Sequence, residues 1–306
     1  MGKCAVFCSQ GLGDGLLFLL LSENLQRNGY EVDTYHPSLA QLQEFFPNQA
    51  LHGMHSLDGI VSLISSNDNY ERVFFNLDSW NAEAAFKAKE THPDRVFLLK
   101  PTTCKGKNIY RTGFLEPKKT LLENLCLFCK EELHLSHVVK ENGMQAPAHL
   151  EYRKNKQRIA IHPTSRDPMK NWPKERFLHL KRRLEKEGFE PFFVMSLEEK
   201  KAWGSDATPF ASLVDVASFI YESSYFIGND SGLGHLASSL HITTLTLFST
   251  WRKEMFWRPD FFIGLTVKPP FWLPNWKGLG LQEEKGKEFI FERAVLKQFY
   301  RLKEMV

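Results

Sequence analysis

Short hydrophobic runs alternate with amphipathic stretches along the first half of this chain. A hydrophobic run bounded by glycine or polar residues is typical of a buried strand, and an apolar repeat of three to four residues is typical of a helix. The pattern predicts strands at 3–9, 30–35, 72–77 and 95–100, a helix that ends near Asn28, and further helices at 56–65, 81–90 and 118–133.

The second half repeats this alternation. Here the pattern predicts strands at 158–162, 192–195, 224–228 and 243–248, helices at 174–188, 197–203, 214–222 and 287–303, and a helix that begins near Gly232. Strands that alternate with helices usually form a parallel sheet covered on both faces. The predicted fold class is therefore α/β, with two Rossmann-like doubly wound domains that face each other across a cleft.

A polar stretch at 140–157 separates the two runs and contains Pro147, which is typical of a domain boundary. We therefore predict an N-terminal domain at 1–145 and a C-terminal domain at 146–285. Residues 286–306 form a last helix that could pack back on the N-terminal domain.

Composition narrows the class of protein. No apolar run is long enough to span a bilayer, and the net charge of +3 is too small to indicate nucleic-acid binding. The five cysteines are an odd number without a disulfide framework, and the Cys126/Cys129 pair lies within a helical pattern, which favours core packing over metal binding. We expect a soluble, cytoplasmic protein.

The segment 226–237 is the strongest candidate for a binding site. It predicts a buried strand, a tight turn and the first turn of a helix, which Asp230 or Ser231 could cap. Gly232 and Gly234 leave space for a ligand near the backbone, and the free amides of a helix N-terminus favour a phosphate. The segment is either an anion site or a well-capped turn without a ligand.

A second glycine-rich turn, Gln10 to Gly15, follows the first predicted strand. Its glycine spacing lacks the full dinucleotide fingerprint, which disfavours a dehydrogenase. Asp14 in this turn could cap the following helix or act as a general base.

Two other segments also have alternative uses. Residues 101–117 form either an acceptor-side lid or a solvated basic loop. The aromatic section 251–276 either contacts a lipid or sugar acceptor or packs between the domains.

Three stretches resemble the heptosyltransferase family of bacterial glycosyltransferases, which transfer heptose from ADP-heptose to the lipopolysaccharide inner core. They are GLGDGLLFLLLSENLQ, IAIHPTSRDPMKNWPKERFLHLKRRLEKEGF and FIGNDSGLGHLASSLHITTLTLFSTW. The resemblance implies a B-type glycosyltransferase fold, with the nucleotide sugar in the C-terminal domain and the acceptor approached from the N-terminal one. It also implies inversion at the anomeric carbon, no cofactor and no required metal.

The resemblance assigns roles by position. Asp14 matches the catalytic base, and Lys170 matches a cation on the donor phosphates. The other donor-binding positions are Thr164, Ser165, Asp230, Ser231, Gly232, Leu233, Gly234 and His235, with Glu198 or Glu199 on the ribose hydroxyls. His235 contacts the diphosphate or has a structural role beside it. The chain departs from the family at Gly11-Leu12, where the family usually has a basic residue ahead of its Gly-Asp.

Two hypotheses follow from different classes of protein. The first is an inverting glycosyltransferase that uses ADP-heptose on a lipid-linked or lipopolysaccharide acceptor. Such an acceptor would place it at the inner face of the inner membrane, with peripheral membrane contact and no nucleic-acid partner. The second is a noncatalytic protein that binds a nucleotide sugar and has lost acceptor chemistry, which the departure at Gly11-Leu12 motivates.

Overall fold

The computed structural model describes residues 2–54, 56–66, 70–99, 116, 118–168, 171–204, 207–270 and 285–306. The chain divides into two compact units, Met1–Gln145 and Ala146–Val306. Each unit is an α/β domain built on a parallel sheet.

Five strands form the sheet of the first unit among the described residues, in the order β3-β2-β1-β4-β5. In chain order the elements are β1 Lys3–Phe7, α1 Leu12–Arg27, β2 Glu31–Tyr35, a 3₁₀ helix Leu39–Phe45, β3 Ala50–His52, α2 Leu57–Ser66, β4 Tyr70–Asn76, α3 Ala82–Thr91, β5 Val96–Leu99, α4 Leu121–Leu127 and a π-helical turn Phe128–Glu132. Strand order reverses between β1 and β4, and this switch point is where open α/β sheets bind ligands.

The second unit has a sheet of six described strands in the order β11-β10-β9-β6-β7-β8. Its elements are β6 Asn155–His162, α5 Lys174–Lys186, β7 Glu190–Ser196, α6 Leu197–Trp203, β8 Ala207–Phe210, α7 Leu213–Tyr221, β9 Ser223–Asn229, α8 Gly232–Ser239, β10 Thr243–Leu247, α9 Trp251–Trp257, β11 Gly264–Val267, a 3₁₀ turn Gly286–Phe289 and α10 Glu292–Lys303. This is the strand order of a Rossmann domain, and its switch point lies between β6 and β9.

The two central strands of the second sheet, β6 and β9, approach each other closely at the switch point. Gly228 on β9 pairs with His162 on β6, and a Cβ added at Gly228 would lie 2.9 Å from the His162 carbonyl oxygen. Only glycine permits this approach without a shift of the backbone. Trp172 and Phe177 fill the adjacent core, with their rings 4.9 Å apart in an edge-to-face arrangement.

The C-terminal helix packs within the second unit. Val295, Phe299 and Leu302 of α10 are buried in the same hydrophobic cluster as Ile159 and Leu245 of the sheet. The sequence pattern predicts a helix here but left open a contact with the first domain. The helix presents its apolar stripe to the face of the second sheet.

Most predicted elements are present. The elements that sequence reasoning missed are short or lie in the aromatic section 251–276. Helix α4 ends at Leu127 and continues as the π-helical turn, so the predicted helix at 118–133 is shorter and less regular. The aromatic section contains α9 and β11, neither of which the sequence pattern predicted. The predicted lid at 101–117 lies, apart from Glu116, outside the described residues.

Over the described parts of the chain, no helix combines the length and apolarity needed to cross a membrane.

Candidate donor and acceptor sites

The carboxyl ends of β6 and β9 meet at the switch point of the second unit. His162 ends β6, and Asn229 ends β9 immediately before the turn at Asp230 and Ser231. Both His162 and Asn229 are buried, so their polar atoms need partners inside the protein. Those partners come from the loop after β6, from the turn after β9, from α6 and from the turn at 286–289.

Four side chains form a connected chain of hydrogen bonds around His162. The Ser231 Oγ lies 2.9 Å from His162 Nδ1, and the Thr164 Oγ1 lies 3.0 Å from His162 Nε2. Thr164 donates to Glu199 Oε1 at 2.5 Å. Because the Thr164 hydroxyl donates to Glu199, its oxygen can accept from His162 Nε2–H, and Nδ1 can then accept from Ser231. In this arrangement each of the three hydrogen bonds has one donor and one acceptor.

Glu199 ends this series of hydrogen bonds and also stabilises the start of α6. Besides its bond from Thr164, it forms a capping box with Ser196 at the start of α6. Burial on its own would raise the pKa of this carboxyl, but hydrogen bonds from His162, Thr164 and the Ser196 backbone outweigh that effect and lower the pKa well below 4.5. Glu199 is therefore a carboxylate at neutral pH, and its oxygens are largely committed to protein partners. Glu198 is exposed in the same first turn.

Asn229 fixes both ends of the loop that follows β6. Its Nδ2 donates to the Pro163 carbonyl at 2.6 Å, and its Oδ1 accepts from the Trp172 backbone N–H at 3.0 Å. The Nζ of Lys287, which is only 2% exposed, also donates to Asn229 Oδ1, at 2.7 Å. Pro163 and Trp172 bracket the loop that contains Thr164 and Ser165, so one side chain sets the base of the predicted phosphate loop.

Within that loop, Ser165 makes local contacts. Its Oγ lies 2.8 Å from both the Asp167 carbonyl oxygen and Asn171 Oδ1, either of which can accept its one hydroxyl hydrogen. These bonds shape the turn of the loop. Lys170, the cation that the resemblance placed on the donor phosphates, lies outside the described residues.

Helix α8 begins at Gly232 with Ser231 at its N-cap position. The Ser231 side chain makes no capping hydrogen bond, so the prediction that it caps the helix through its hydroxyl is wrong. The physical reason is that its Oγ bonds to His162 instead. The Ser231 hydroxyl therefore does not cover the N-terminal amides of α8.

His235 lies in the first turn of α8 and is buried. Burial lowers its pKa from 6.5 to about 4, so the ring is neutral at pH 7. Its Nδ1 has no hydrogen-bond partner within the described part of the chain. A neutral histidine can donate one hydrogen bond and accept one, but it cannot contribute a positive charge to an anion.

In the first unit, Asp14 lies at the third position of α1, and Gly11 occupies the N-cap position. The Asp14 carboxylate folds over Gly11: a Cβ added there would lie 2.4 Å from Asp14 Oδ2. The Gly11 backbone is extended, with φ of −72° and ψ of 128°, so the absence of a side chain matters for this contact and not for the backbone. A carboxylate in the first turn of a helix is favoured by the free amides and the helix dipole.

His36, directly after β2, holds the same turn from below. Its Nδ1 accepts from the backbone N–H groups of Ser38 at 3.0 Å and Leu39 at 3.1 Å. Its Nε2 lies 3.2 Å from the Gly11 carbonyl oxygen, and must donate to it since Nδ1 is already an acceptor. His36 is fully buried, and its hydrogen bond to Gly11 positions the turn that carries Asp14.

Sequence reasoning missed His36, Asn229 and Lys287 as site residues. His36 and Asn229 each stand at the end of a predicted strand, which is a usable pattern, because the carboxyl ends of parallel strands converge at one edge. Lys287 lies far along the chain from Asn229 and had no such pattern. No cluster of three or more His, Cys, Asp or Glu side chains that could hold a metal occurs within the described ranges.

Residues 129–260 match the family model of glycosyltransferase family 9 (heptosyltransferase). The matched segment, less than half of the chain, is similar to the family 9 glycosyltransferases. The resemblance to heptosyltransferases is thereby confirmed, as is the enzyme class, a glycosyltransferase. Among curated proteins, none matches the sequence.

Solved structures of glycosyltransferases share the fold of this chain. A family 9 glycosyltransferase from Veillonella parvula is 18% identical, with a TM-score of 0.70 over 100% of this chain and 98% of that one. The Escherichia coli ADP-heptose LPS heptosyltransferase II is 16% identical, with a TM-score of 0.69 over 99% of this chain and 100% of that one. The dodecameric, iron-containing glycosyltransferase TibC from enterotoxigenic E. coli is 13% identical, with a TM-score of 0.61 over 99% of this chain and 76% of that one. The predicted B-type fold of two parallel-sheet domains is confirmed.

Proposed function

We propose that this glycosyltransferase transfers heptose from ADP-heptose to a lipopolysaccharide inner-core or related lipid-linked acceptor, with inversion at the anomeric carbon. The family 9 match over residues 129–260 carries the proposal, because it includes the loop after β6 and the turn at 230–235. The donor named for the E. coli heptosyltransferase II of the same fold supports ADP-heptose as the nucleotide sugar.

The second unit would hold the donor. The N-terminal amides of α8, which the Ser231 hydroxyl does not cap, suit the diphosphate, together with Lys170 and the loop at Thr164 and Ser165. Glu198 is exposed and is the better of the two adjacent carboxylates for the ribose hydroxyls, because Glu199 is committed to Thr164 and Ser196. His235 would serve as a neutral hydrogen-bonding group.

The first unit would supply the base. Asp14 would accept the proton of the acceptor hydroxyl as that oxygen attacks the anomeric carbon. The bond from that carbon to the diphosphate breaks, and ADP leaves with the electron pair. Lys170 and the α8 amides would stabilise the charge that develops on the diphosphate, which is how such a site can act without a metal. We therefore expect transfer to continue in the presence of EDTA.

The test is release of ADP from ADP-heptose in the presence of a heptose-deficient lipopolysaccharide acceptor. Wild type is expected to turn over, and Asp14→Asn to lose at least 100-fold in kcat, as for loss of a general base, with unchanged affinity for ADP. An exposed residue of the second unit, Lys186→Ala, is the control. Donor binding by wild type without turnover, and with Asp14→Asn unchanged, would support the noncatalytic binder instead.

A further inference from the structure

A basic groove lies between α5 and α10 and shares no residue with the donor and acceptor sites. Its cavity has a volume of about 650 Å³. The lining comprises Arg183 from α5 and Arg293, Leu296, Lys297, Gln298, Tyr300, Arg301 and Glu304 from α10 and its C-terminal end. The lining thus contains four cations and one carboxylate.

The cations of α10 form a single stripe on the outside of the helix. Arg293, Lys297 and Arg301 are spaced four residues apart, which places them one above the other along about 12 Å of helix. The apolar residues Phe299 and Leu302 bury the opposite face of α10 in the core. All three cations therefore point away from the sheet and towards solvent.

The cations of the groove outnumber its one carboxylate, Glu304. In the described part of the chain, no carboxylate forms an ion pair with Arg183, Arg293, Lys297 or Arg301. The nearby Glu187 carboxylate accepts a hydrogen bond of 2.5 Å from the Tyr300 hydroxyl. Four cations and one carboxylate that line one concavity produce a local positive potential that attracts anions.

Exposed apolar side chains accompany the stripe. Phe291, at the N-cap of α10, is 47% exposed, and the Arg293 guanidinium lies 5.6 Å from the centroid of its ring. Met305 and Val306, just past the end of the helix, are 47% and 50% exposed. Basic residues flanked by exposed aromatic and aliphatic side chains are typical of surfaces that lie at a membrane interface. Binding of a soluble anion would not require these apolar side chains.

We propose that the α5–α10 groove docks the protein on the surface of a bilayer that contains anionic phospholipids. The cations contact headgroup phosphates, and Phe291, Met305 and Val306 contact the boundary between headgroups and acyl chains. This inference goes beyond the proposed function and rests on the groove alone. It also differs from the sequence-based expectation, which placed any lipid contact at 251–276.

The test is co-sedimentation of the full chain with vesicles, without nucleotide. Vesicles of phosphatidylglycerol and phosphatidylcholine are compared with vesicles of phosphatidylcholine alone, for wild type and for the triple variant Arg293→Glu, Lys297→Glu, Arg301→Glu. Each cation near an anionic surface contributes roughly fivefold in affinity, so the variant is expected to bind anionic vesicles on the order of 100-fold more weakly. Phosphatidylcholine alone should bind neither protein.

A matched control separates the groove from net charge. Lys130→Glu, Lys154→Glu and Lys156→Glu together change the charge by the same amount at exposed positions elsewhere. This control is expected to lose less than about fivefold, because the three lysines lie outside the groove. Equal losses in both triple variants, or no binding of wild type to anionic vesicles, would overturn the proposal.

A second variant distinguishes a bilayer from a soluble anion and does not depend on charge reversal. Phe291→Ser should weaken binding to anionic vesicles severalfold and leave the affinity for tripolyphosphate unchanged. If tripolyphosphate binds the groove while vesicles do not, or if Phe291→Ser has no effect on vesicle binding, the groove is not a bilayer-docking surface. Titration with ADP checks that each variant is folded, and loss of vesicle binding with normal ADP binding leaves the proposed function intact.

Discussion

At the scale of single residues, Glu199 links pH to the stability of the second unit. Its folded pKa is depressed, so its stabilising contribution is complete above 4.5 and is lost as the pH falls below that value. Glu199→Gln should therefore lower the free energy of unfolding by about 2 kcal/mol at pH 7, as for a hydrogen bond to a charged group, and by much less at pH 3. Urea unfolding of wild type and variant at the two pH values measures the difference.

The adjacent Glu198→Gln is the control, since it removes the same charge from an exposed position in the same turn. A difference of less than about 0.5 kcal/mol is expected for it at either pH. Equal effects of the two substitutions would mean that the contacts of Glu199 with Thr164 and Ser196 add nothing to stability.

His235 is neutral where Glu199 is charged, but its contribution to the free energy of unfolding should also decrease as the pH falls. Its pKa is about 4 in the folded protein against 6.5 ordinarily, so between these values the unfolded chain takes up a proton that the folded chain does not. Stability is complete above pH 6.5 and falls towards pH 4 with a slope of about 1.4 kcal/mol per pH unit from this group. In His235→Gln that part of the slope should disappear from urea unfolding curves. An unchanged slope would show that the ring is protonated in the folded state.

Residue types were easier to predict from the sequence than their partners. The family pattern selected Ser231, Thr164 and Glu199, but it assigned all three to the donor. The structure joins them to one another through His162, which is 69 residues from Ser231 along the chain. Partners at such separations depend on which strands become neighbours in the sheet, and local sequence does not contain that information.

At the scale of elements, Asn229 connects β9 to the loop after β6. Asn229→Ala removes three hydrogen bonds from a fully buried site, and we expect a loss of about 3 kcal/mol in the free energy of unfolding. The affinity for ADP should fall as well, because the ends of the phosphate loop are released. Urea unfolding and calorimetry measure the two effects.

Asn155→Ala is the matched control at the other end of β6, where the side chain makes one 3.4 Å hydrogen bond to the Glu222 carbonyl. Its expected cost is below about 1 kcal/mol, with no effect on ADP. If Asn229→Ala is equally mild, the loop is held by other contacts.

The turn before α1 offers a test of the Asp14 carboxylate that leaves Asp14 in place. Gly11→Ala puts a Cβ where the Asp14 Oδ2 now lies, and the extended backbone at Gly11 tolerates alanine. We expect kcat to fall by at least tenfold with little change in the melting temperature, because only the carboxylate has to move.

Gly53→Ala is the control, since no heavy atom lies within 4 Å of a Cβ added there. Full turnover by Gly11→Ala would separate the position of the Asp14 carboxylate from catalysis, and Asp14 would then be a helix-stabilising residue only.

Elements were predicted best where the hydrophobic pattern is long and regular. Helix α6 has the predicted bounds, and β9 differs by one residue at each end. The three-residue β3 and the four-residue β8 and β11 were missed, because runs of that length rarely carry a distinct period. Each lies at or next to an edge of its sheet, where tertiary contacts decide whether a short segment is a strand.

At the scale of the whole molecule, the two sheets repeat one architecture, and each has candidate site residues at its own carboxyl edge. The first carries Asp14 just after β1, and the second carries the turn at 230–235 just after β9. This repetition was predictable because parallel strands need crossover helices, which leave a long-period pattern in the sequence. Acceptor identity was not predictable, because it depends on side chains in loops that follow no such period.

The most direct test of the account is a calorimetric titration of the wild-type protein with ADP, GDP, UDP and CMP. The account predicts that ADP binds most tightly, and that Asp230→Ala and Lys170→Ala each weaken it at least tenfold while Lys186→Ala does not. Absence of nucleotide binding, or preferential binding of UDP that neither substitution affects, would contradict a donor site for ADP-heptose at the carboxyl edge of the second sheet.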